Sequence, residues 1–164
     1  MIKTAPPKHT LFLTIMNQAH FHLLVNHLPI AGVIFGFLVL LGGYLFHSPA
    51  IKRTAMGLFL AAALLAVPTF LTGEGAEEMI EDLPGISHDQ IGQHEELGET
   101  YLLLLGLLAI TSIAALVTEA RGLRINRPLY LLAFAFSMGC IAMGAQVGFS
   151  GGEIRHTEIR QQAG

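Results

Sequence analysis

Charge is the scarcest thing in this sequence. Of 164 residues, 9 are Lys or Arg and 12 are Asp or Glu, giving 13% charged, against roughly 25% in an ordinary soluble domain. What charge there is clusters. The runs His9 to Ile51, Thr54 to Gly73, Thr100 to Thr118 and Pro128 to Gly152 contain none at all. A helix rises about 1.5 Å per residue, so each run can supply the ~20 apolar residues that cross a hydrocarbon core. These runs exclude a soluble domain and make the lipid bilayer the first expected partner. Spans are expected near 24–46, 54–72, 99–119 and 128–150. The fold class is therefore all-α, an integral membrane four-helix bundle with both termini on one face. Span interiors without a carboxylate or an amine also argue against proton-coupled transport, which needs titratable groups along its path.

Cysteine is nearly absent. Cys140 stands alone, which excludes an internal disulfide, a CxxC metal knuckle and covalent haem attachment through CxxCH. It reads as a small apolar residue inside the fourth helix. A basic surface is absent too: the net charge is −3, and nucleic acid is not an expected partner. The N-terminus, MIKTAPPKHTLFLTIMNQ, has no small-residue cleavage site after its apolar patch, and Pro6-Pro7 interrupts its positive start. A retained tail is expected rather than a signal peptide. The expected layout is a tail at 1–20 with an interfacial segment at 10–18, a bundle at 21–152 with a loop at 73–98, and a C-terminal tail at 153–164.

What is present is unevenly placed. Lys52, Arg53, Arg121, Arg124 and Arg127 fill two short turns, which the positive-inside rule makes cytoplasmic. The other face carries every acidic residue except Glu119 and every histidine except His47. The expected location is a bacterial inner membrane, multi-pass, with N- and C-termini periplasmic. The chemistry belongs to that acidic, histidine-rich outer face.

Histidine is the residue to explain. The stretch HFHLLVNHLPIAG holds His20, His22 and His27 at the mouth of a span. His20 and His27 are seven apart, so they face one side at a distance of about 10 Å. That is too far for one metal ion and suits two stacked sites. Haem b asks little of a sequence: an imidazole on each side of the ring and a slot between helices. His20, His22, His27, His88, His94 and His156 offer up to three such pairs, hence one to three haems. The haem-iron candidates are His22, His27, His94 and His156. Small residues at Ala31, Gly32, Gly36, Gly144, Gly148, Gly151 and Gly152 would let a flat macrocycle approach the backbone. For Gly32, Gly36, Gly144 and Gly148, tight helix packing is the expected role. His9 and His47 read as headgroup-level polar residues.

A bare metal is the rival reading, in a membrane protein that binds or transports zinc, iron or copper through its outer cap of histidines and carboxylates. Glu153 and His156 have the ExxH spacing of one helical face. With Glu77 and His94 they form a mixed set that suits zinc, iron or copper. The other carboxylates of 74–82 look like a solvated face. A structural subunit with incidental histidines is a third reading. Pro29 is expected to help aim His27. Pro68 is expected to kink the second span, with Thr69 and Thr72 satisfying the freed carbonyls. A weak internal repeat pairs Asn26-His27 with Gln93-His94, and Thr72-Gly73-Glu74 with Ser150-Gly151-Gly152-Glu153. Duplication about an axis along the membrane normal would set His27 opposite His94.

HLLVNHLPI, the Thr-Gly closing the second span, the histidine before the third and GGEIRH after the fourth resemble a bacterial family of unknown function. Its members are small four-span membrane proteins with a His, then Val-His-Phe-Pro-Ile-like start and a Gly-Gly-Glu, Arg-His end. His22, His27, His94, Pro29, Gly151, Gly152, Glu153 and His156 occupy matching positions, whereas Leu23, Asn26 and Leu28 depart from the pattern. Some members are joined to Rieske or cytochrome-like domains, so the resemblance implies redox work and favours haem. The expected function is that of a membrane-anchored b-type cytochrome, an electron-transfer protein more than a catalyst. A basic soluble cytochrome or another redox protein would suit its acidic face. Quinol is a candidate electron donor, and the glycine-rich faces permit a homodimer.

Overall fold

A computed structural model describes residues 17–156. The elements are α1 (Gln18–Val25), α2 (His27–Leu45), α3 (Pro49–Leu71), α4 (Gly73–Glu77), α5 (His88–Ala120) and α6 (Asn126–Arg155). Among the described residues there is no strand. α1 runs into α2 through Asn26, which keeps helical dihedrals, so Gln18–Leu45 forms one span. That span, α3, α5 and α6 are each long and apolar enough to cross a membrane. The chain is a multi-pass membrane protein built as a four-helix bundle. Its hairpins are α2–α3 and α5–α6, and the ring closes through α3 against α5 and α2 against α6. Asn17 and His156 both lie at the end opposite the two short basic turns. These are called the histidine end and the basic end below. The interfacial segment expected at 10–18 lies almost wholly outside the described residues.

The helices outrun the apolar runs that announce them. The segment expected as a loop at 73–98 holds α4, a turn and the first three turns of α5, which starts at His88. Apolar runs measure the stretch that meets lipid, whereas a helix needs only its periodic contacts and local bonds. Those continue outward: Ile91 is buried, and Gln93 Nε2 donates to Asp89 Oδ2 at 3.1 Å, a pair at the favourable spacing of four. The last span likewise extends through Glu153 to Arg155.

Local chemistry sets the ends. Asn17 caps α1 by accepting from His20 N at 2.8 Å. Ser48 caps α3 ahead of Pro49, which needs no donor there. At the basic end both hairpins begin with the same closure. Ser48 N donates to Gly43 O and His47 N to Tyr44 O; Leu123 N donates to Thr118 O and Gly122 N to Glu119 O. These are Schellman pairs, and the pivots carry positive φ: 66° at Gly122 and 53° at His47. His47 is thus a helix-ending residue.

The core is Leu40, Met56, Phe59, Leu105 and Leu108, all fully buried. Close approach of α2 and α3 depends on two missing side chains. A Cβ at Gly36 would lie 2.6 Å from Phe59 Cε1, and one at Gly32 would lie 2.9 Å from Ala62 Cβ. These two glycines serve packing. Gly148 does not, since nothing lies within 4 Å of its Cβ position. At the basic end Tyr130 donates to Glu119, whose other oxygen is 3.5 Å from Arg53 Nη1. Lys52 Nζ sits 4.1 Å over the Tyr44 ring. This polar plug ties all four spans together.

Prolines organise the histidine end. Pro29 lacks the N–H that the Val25 carbonyl would otherwise receive. Thr69 of α3 supplies a replacement: its Oγ1 lies 3.3 Å from Val25 O and 3.0 Å from Leu65 O, sharing one proton between them. Thr72 Oγ1 bonds to the carbonyls of Pro68 and Thr69, at 2.8 and 3.0 Å. The two threonines therefore serve carbonyls other than Leu64, the one that Pro68 deprives of its donor. The joint they stabilise is the α1–α2 junction as much as α3.

Candidate functional site

Of the three histidines in HFHLLVNHLPIAG, one turns inward. His20 and His27 are exposed, while His22 is half-buried against the end of α3. His22 Nδ1 lies 3.0 Å from the Thr69 carbonyl oxygen and 3.2 Å from Thr72 Oγ1. A carbonyl oxygen can only accept, so Nδ1 carries the hydrogen. Nε2 then holds the lone pair and has no partner among the described residues.

His94 repeats the arrangement from the other hairpin. Its Nδ1 lies 2.9 Å from Ser150 Oγ on α6. Ser150 Oγ also reaches the Val147 carbonyl at 3.0 Å. With its hydrogen placed there it accepts from His94, the arrangement that gives Nδ1 the hydrogen and Nε2 the lone pair, as at His22. The His94 ring lies against α6: a Cβ at Gly151 would be 3.0 Å from Cε1. At Gly73 the approach is looser, a Cβ there lying 3.9 Å from His22 Cε1.

Thr69, Thr72 and Gly73 therefore correspond to Val147, Ser150 and Gly151, with identical spacing in the two hairpins. The repeat expected from sequence is present at this end, with a different pairing: the counterpart of His94 is His22. His27, placed opposite His94 by the expectation, is exposed at the first residue of α2. The reason is angular. A ring that reaches the last turn of α3 must sit above the Pro29 joint, and His22 does.

His94 feels the charge of His22 across the histidine end. α1, which carries His22, packs on α4 and the end of α3 and makes at most marginal contact with α5 and α6. Among the described residues, four buried side-chain atoms are without a hydrogen-bond partner: Asn26 Oδ1, Tyr44 OH, Gln90 Oε1 and Tyr101 OH. Three of the four belong to the helices that carry the two histidines. Buried polar atoms are rarely left so, and an unplaced ligand or water is a usual cause.

The other candidate residues are dispersed. His88 is exposed at the start of α5, and His156 is exposed at the C-cap of α6, where the chain has left the helix. Glu153 is half-buried in the last turn of α6. Glu77 ends α4 and shares a hydrogen bond with Glu95, near Glu81 and His88. Among the described residues, no three His, Cys, Asp or Glu side chains come together as a metal-ion group. The mixed set Glu77, His94, Glu153 and His156 is not gathered, because the ExxH spacing loses its shared face once His156 leaves the helix.

Sequence reasoning missed Ser150, Asn26, Gln90 and Tyr101, and gave Thr69 and Thr72 another task. One signal was legible: Thr72-Gly73 and Ser150-Gly151 are hydroxyl–glycine pairs at equivalent span ends. Comparison with protein families, with curated proteins and with solved structures finds no match to this chain.

Proposed function

We propose that the chain is a membrane-anchored b-type cytochrome in which His22 and His94 would hold one haem between them. The observation that carries this reading is the matched setting of the two rings. His22 gives its Nδ1 hydrogen to the Thr69 carbonyl, and His94 Nδ1 meets the Ser150 hydroxyl at the equivalent place in the other hairpin, a setting in which Nε2 would be the donor atom. That is the state an axial ligand needs, with the outer hydrogen bond orienting the ring and raising its basicity. The residues fit the group in two further ways. The ligands come from opposite hairpins, and the segments that carry them hold three of the buried polar atoms left without a partner. Two imidazoles without a third protein ligand suit haem iron better than a bare ion, which takes three or four.

Haem would supply one-electron exchange. The chain's own residues hold the rings, keep their tautomer and separate the site from the apolar bundle below. The positive-inside rule puts the basic turns in the cytoplasm and the histidine end at the periplasmic face of a bacterial inner membrane. There the acidic residues of 74–99 would draw a basic soluble redox partner, with quinol in the bilayer as a donor. The optical spectrum of detergent-purified protein, before and after dithionite, tests the reading. A Soret band that sharpens and shifts on reduction, with distinct alpha and beta bands, is expected for low-spin bis-histidine haem. A protein that stays colourless and takes up no added haem would overturn it.

A further inference from the structure

The lipid face of a membrane span is ordinarily apolar, and Gln146 breaks that rule on α6. The bundle side of the helix is Ala133, Ser137, Cys140 and Gly144, all buried. Gln146 follows Gly144 by two residues, about 200° round the helix, and is exposed on the side away from the bundle.

Its depth makes that exposure costly. α6 runs for 30 residues, and Gln146 lies about 8 Å from its middle at ~1.5 Å per residue. The hydrocarbon core reaches about 15 Å to either side of the bilayer centre, so with the span centred the amide is inside it. Hydroxyls in the span interiors satisfy themselves locally: Thr111, Ser112 and Ser137 each donate to a carbonyl of their own helix. Among the described residues Gln146 has no hydrogen-bond partner. A polar group left so in hydrocarbon is strongly disfavoured.

The face around Gln146 suits the approach of another helix. Ala135, Gly139 and Ala142 precede it at spacings of four, three and four, which return to one side of a helix. Ala135 and Ala142 are exposed, and nothing lies within 4 Å of a Cβ placed at Gly139. Packing inside the chain does not call for that glycine, whereas Gly32 and Gly36 stand against α3. Small residues in such a row let two helix backbones come close in a membrane. The amide then selects the partner. An acyl chain can offer it nothing, but a carboxamide is its own complement, its NH2 donating where a second C=O accepts. A twofold axis along the membrane normal brings each copy's amide to the other's.

We propose that α6 is the contact between two copies of this chain, packed along Ala135, Gly139 and Ala142 and joined through their Gln146 amides. The dimer is independent of the haem reading.

The test is energy transfer between full-length copies carrying donor or acceptor dyes at the C-terminus, followed in phosphatidylcholine vesicles as protein is diluted into lipid. The wild type is expected to associate. Gln146→Leu removes two hydrogen bonds per dimer and is expected to weaken association about tenfold, each bond between membrane helices being worth about threefold. Gly139→Leu meets no neighbour within its own chain and is expected to weaken association further. Both variants should keep the wild-type helix content by circular dichroism, which separates lost contact from lost fold. Only chance transfer between wild-type copies at every dilution would overturn the dimer, leaving this face to lipid or to another protein. Association of Gln146→Leu as tight as wild type would overturn it as well, since the amides would then lie elsewhere.

Discussion

At the scale of single residues, the proposed function turns on which nitrogen of each imidazole carries the hydrogen. The Thr69 carbonyl makes the choice for His22, and Ser150 makes the same choice for His94 when its own hydrogen goes to Val147. The His94 ring can lie where it does because residue 151 has no side chain. Gly151→Ala would put a carbon 3.0 Å from Cε1, tighter than the ring can accept without moving. Overpacking of this kind costs about 1–3 kcal/mol. The variant is expected to fold, to bind haem at least tenfold more weakly, and to show it in a haem titration of the purified chain; unchanged affinity would mean the ring is not held by this contact. The sequence made the histidines conspicuous, but it could not rank them. Whether an imidazole near a span end turns inward depends on which neighbouring helix offers an acceptor, and that neighbour is 47 residues from His22 and 56 from His94.

At the scale of elements, two local features carry measurable consequences. His47 adopts φ 53° at the end of α2, a conformation that glycine takes without steric cost. His47→Gly is expected to raise stability by about 1 kcal/mol, read as a higher unfolding midpoint in detergent, with no change in any cofactor spectrum. A lower midpoint would show that the imidazole makes a contact worth more than the strain. The second feature is the contact of α4 with α5. The Glu77 carboxyl is held above the ordinary carboxylate range, first by its hydrogen bond with Glu95, then by partial burial and the charges of Glu95 and Glu81, with His88 opposing.

A carboxyl raised by folding contributes stability while it is protonated. The contribution is complete below its unfolded value and is lost as pH rises through the folded one. Amide-exchange protection across 73–90 is therefore expected to fall as pH climbs out of the acidic range, and Glu77→Gln should make it insensitive to pH there. Equal pH dependence in the variant would contradict the shared proton. The spans were legible because a charge-free apolar run of about 20 residues matches the thickness of a bilayer and little else. The first turns of α5 were not, since a charged helix outside the bilayer and a charged loop have similar composition.

At the scale of the whole molecule, two similar hairpins face each other and are fastened differently at their ends. The basic end is closed by Glu119, Arg53, Tyr130 and Lys52 over Tyr44. At the histidine end each hairpin instead presents one half-buried imidazole held by a partner on its second helix. The fold's symmetry is thus the symmetry of the proposed site, with each hairpin supplying one histidine, one hydroxyl and one glycine. The repeat was visible in sequence at the span ends. Its register was one helix joint off, because Asn26-His27 resembles Gln93-His94 in letters while His22 resembles His94 in position.

The central claim is that His22 and His94, and no other histidine, face one another across a haem. The most direct measurement is the optical spectrum of four purified variants under oxidised and reduced conditions: His22→Ala, His94→Ala, His20→Ala and His27→Ala. Loss of the low-spin haem bands in the first two, with wild-type spectra in the last two, is the predicted result. Bands that survive His22→Ala or His94→Ala, or that vanish with His20→Ala or His27→Ala, would contradict it.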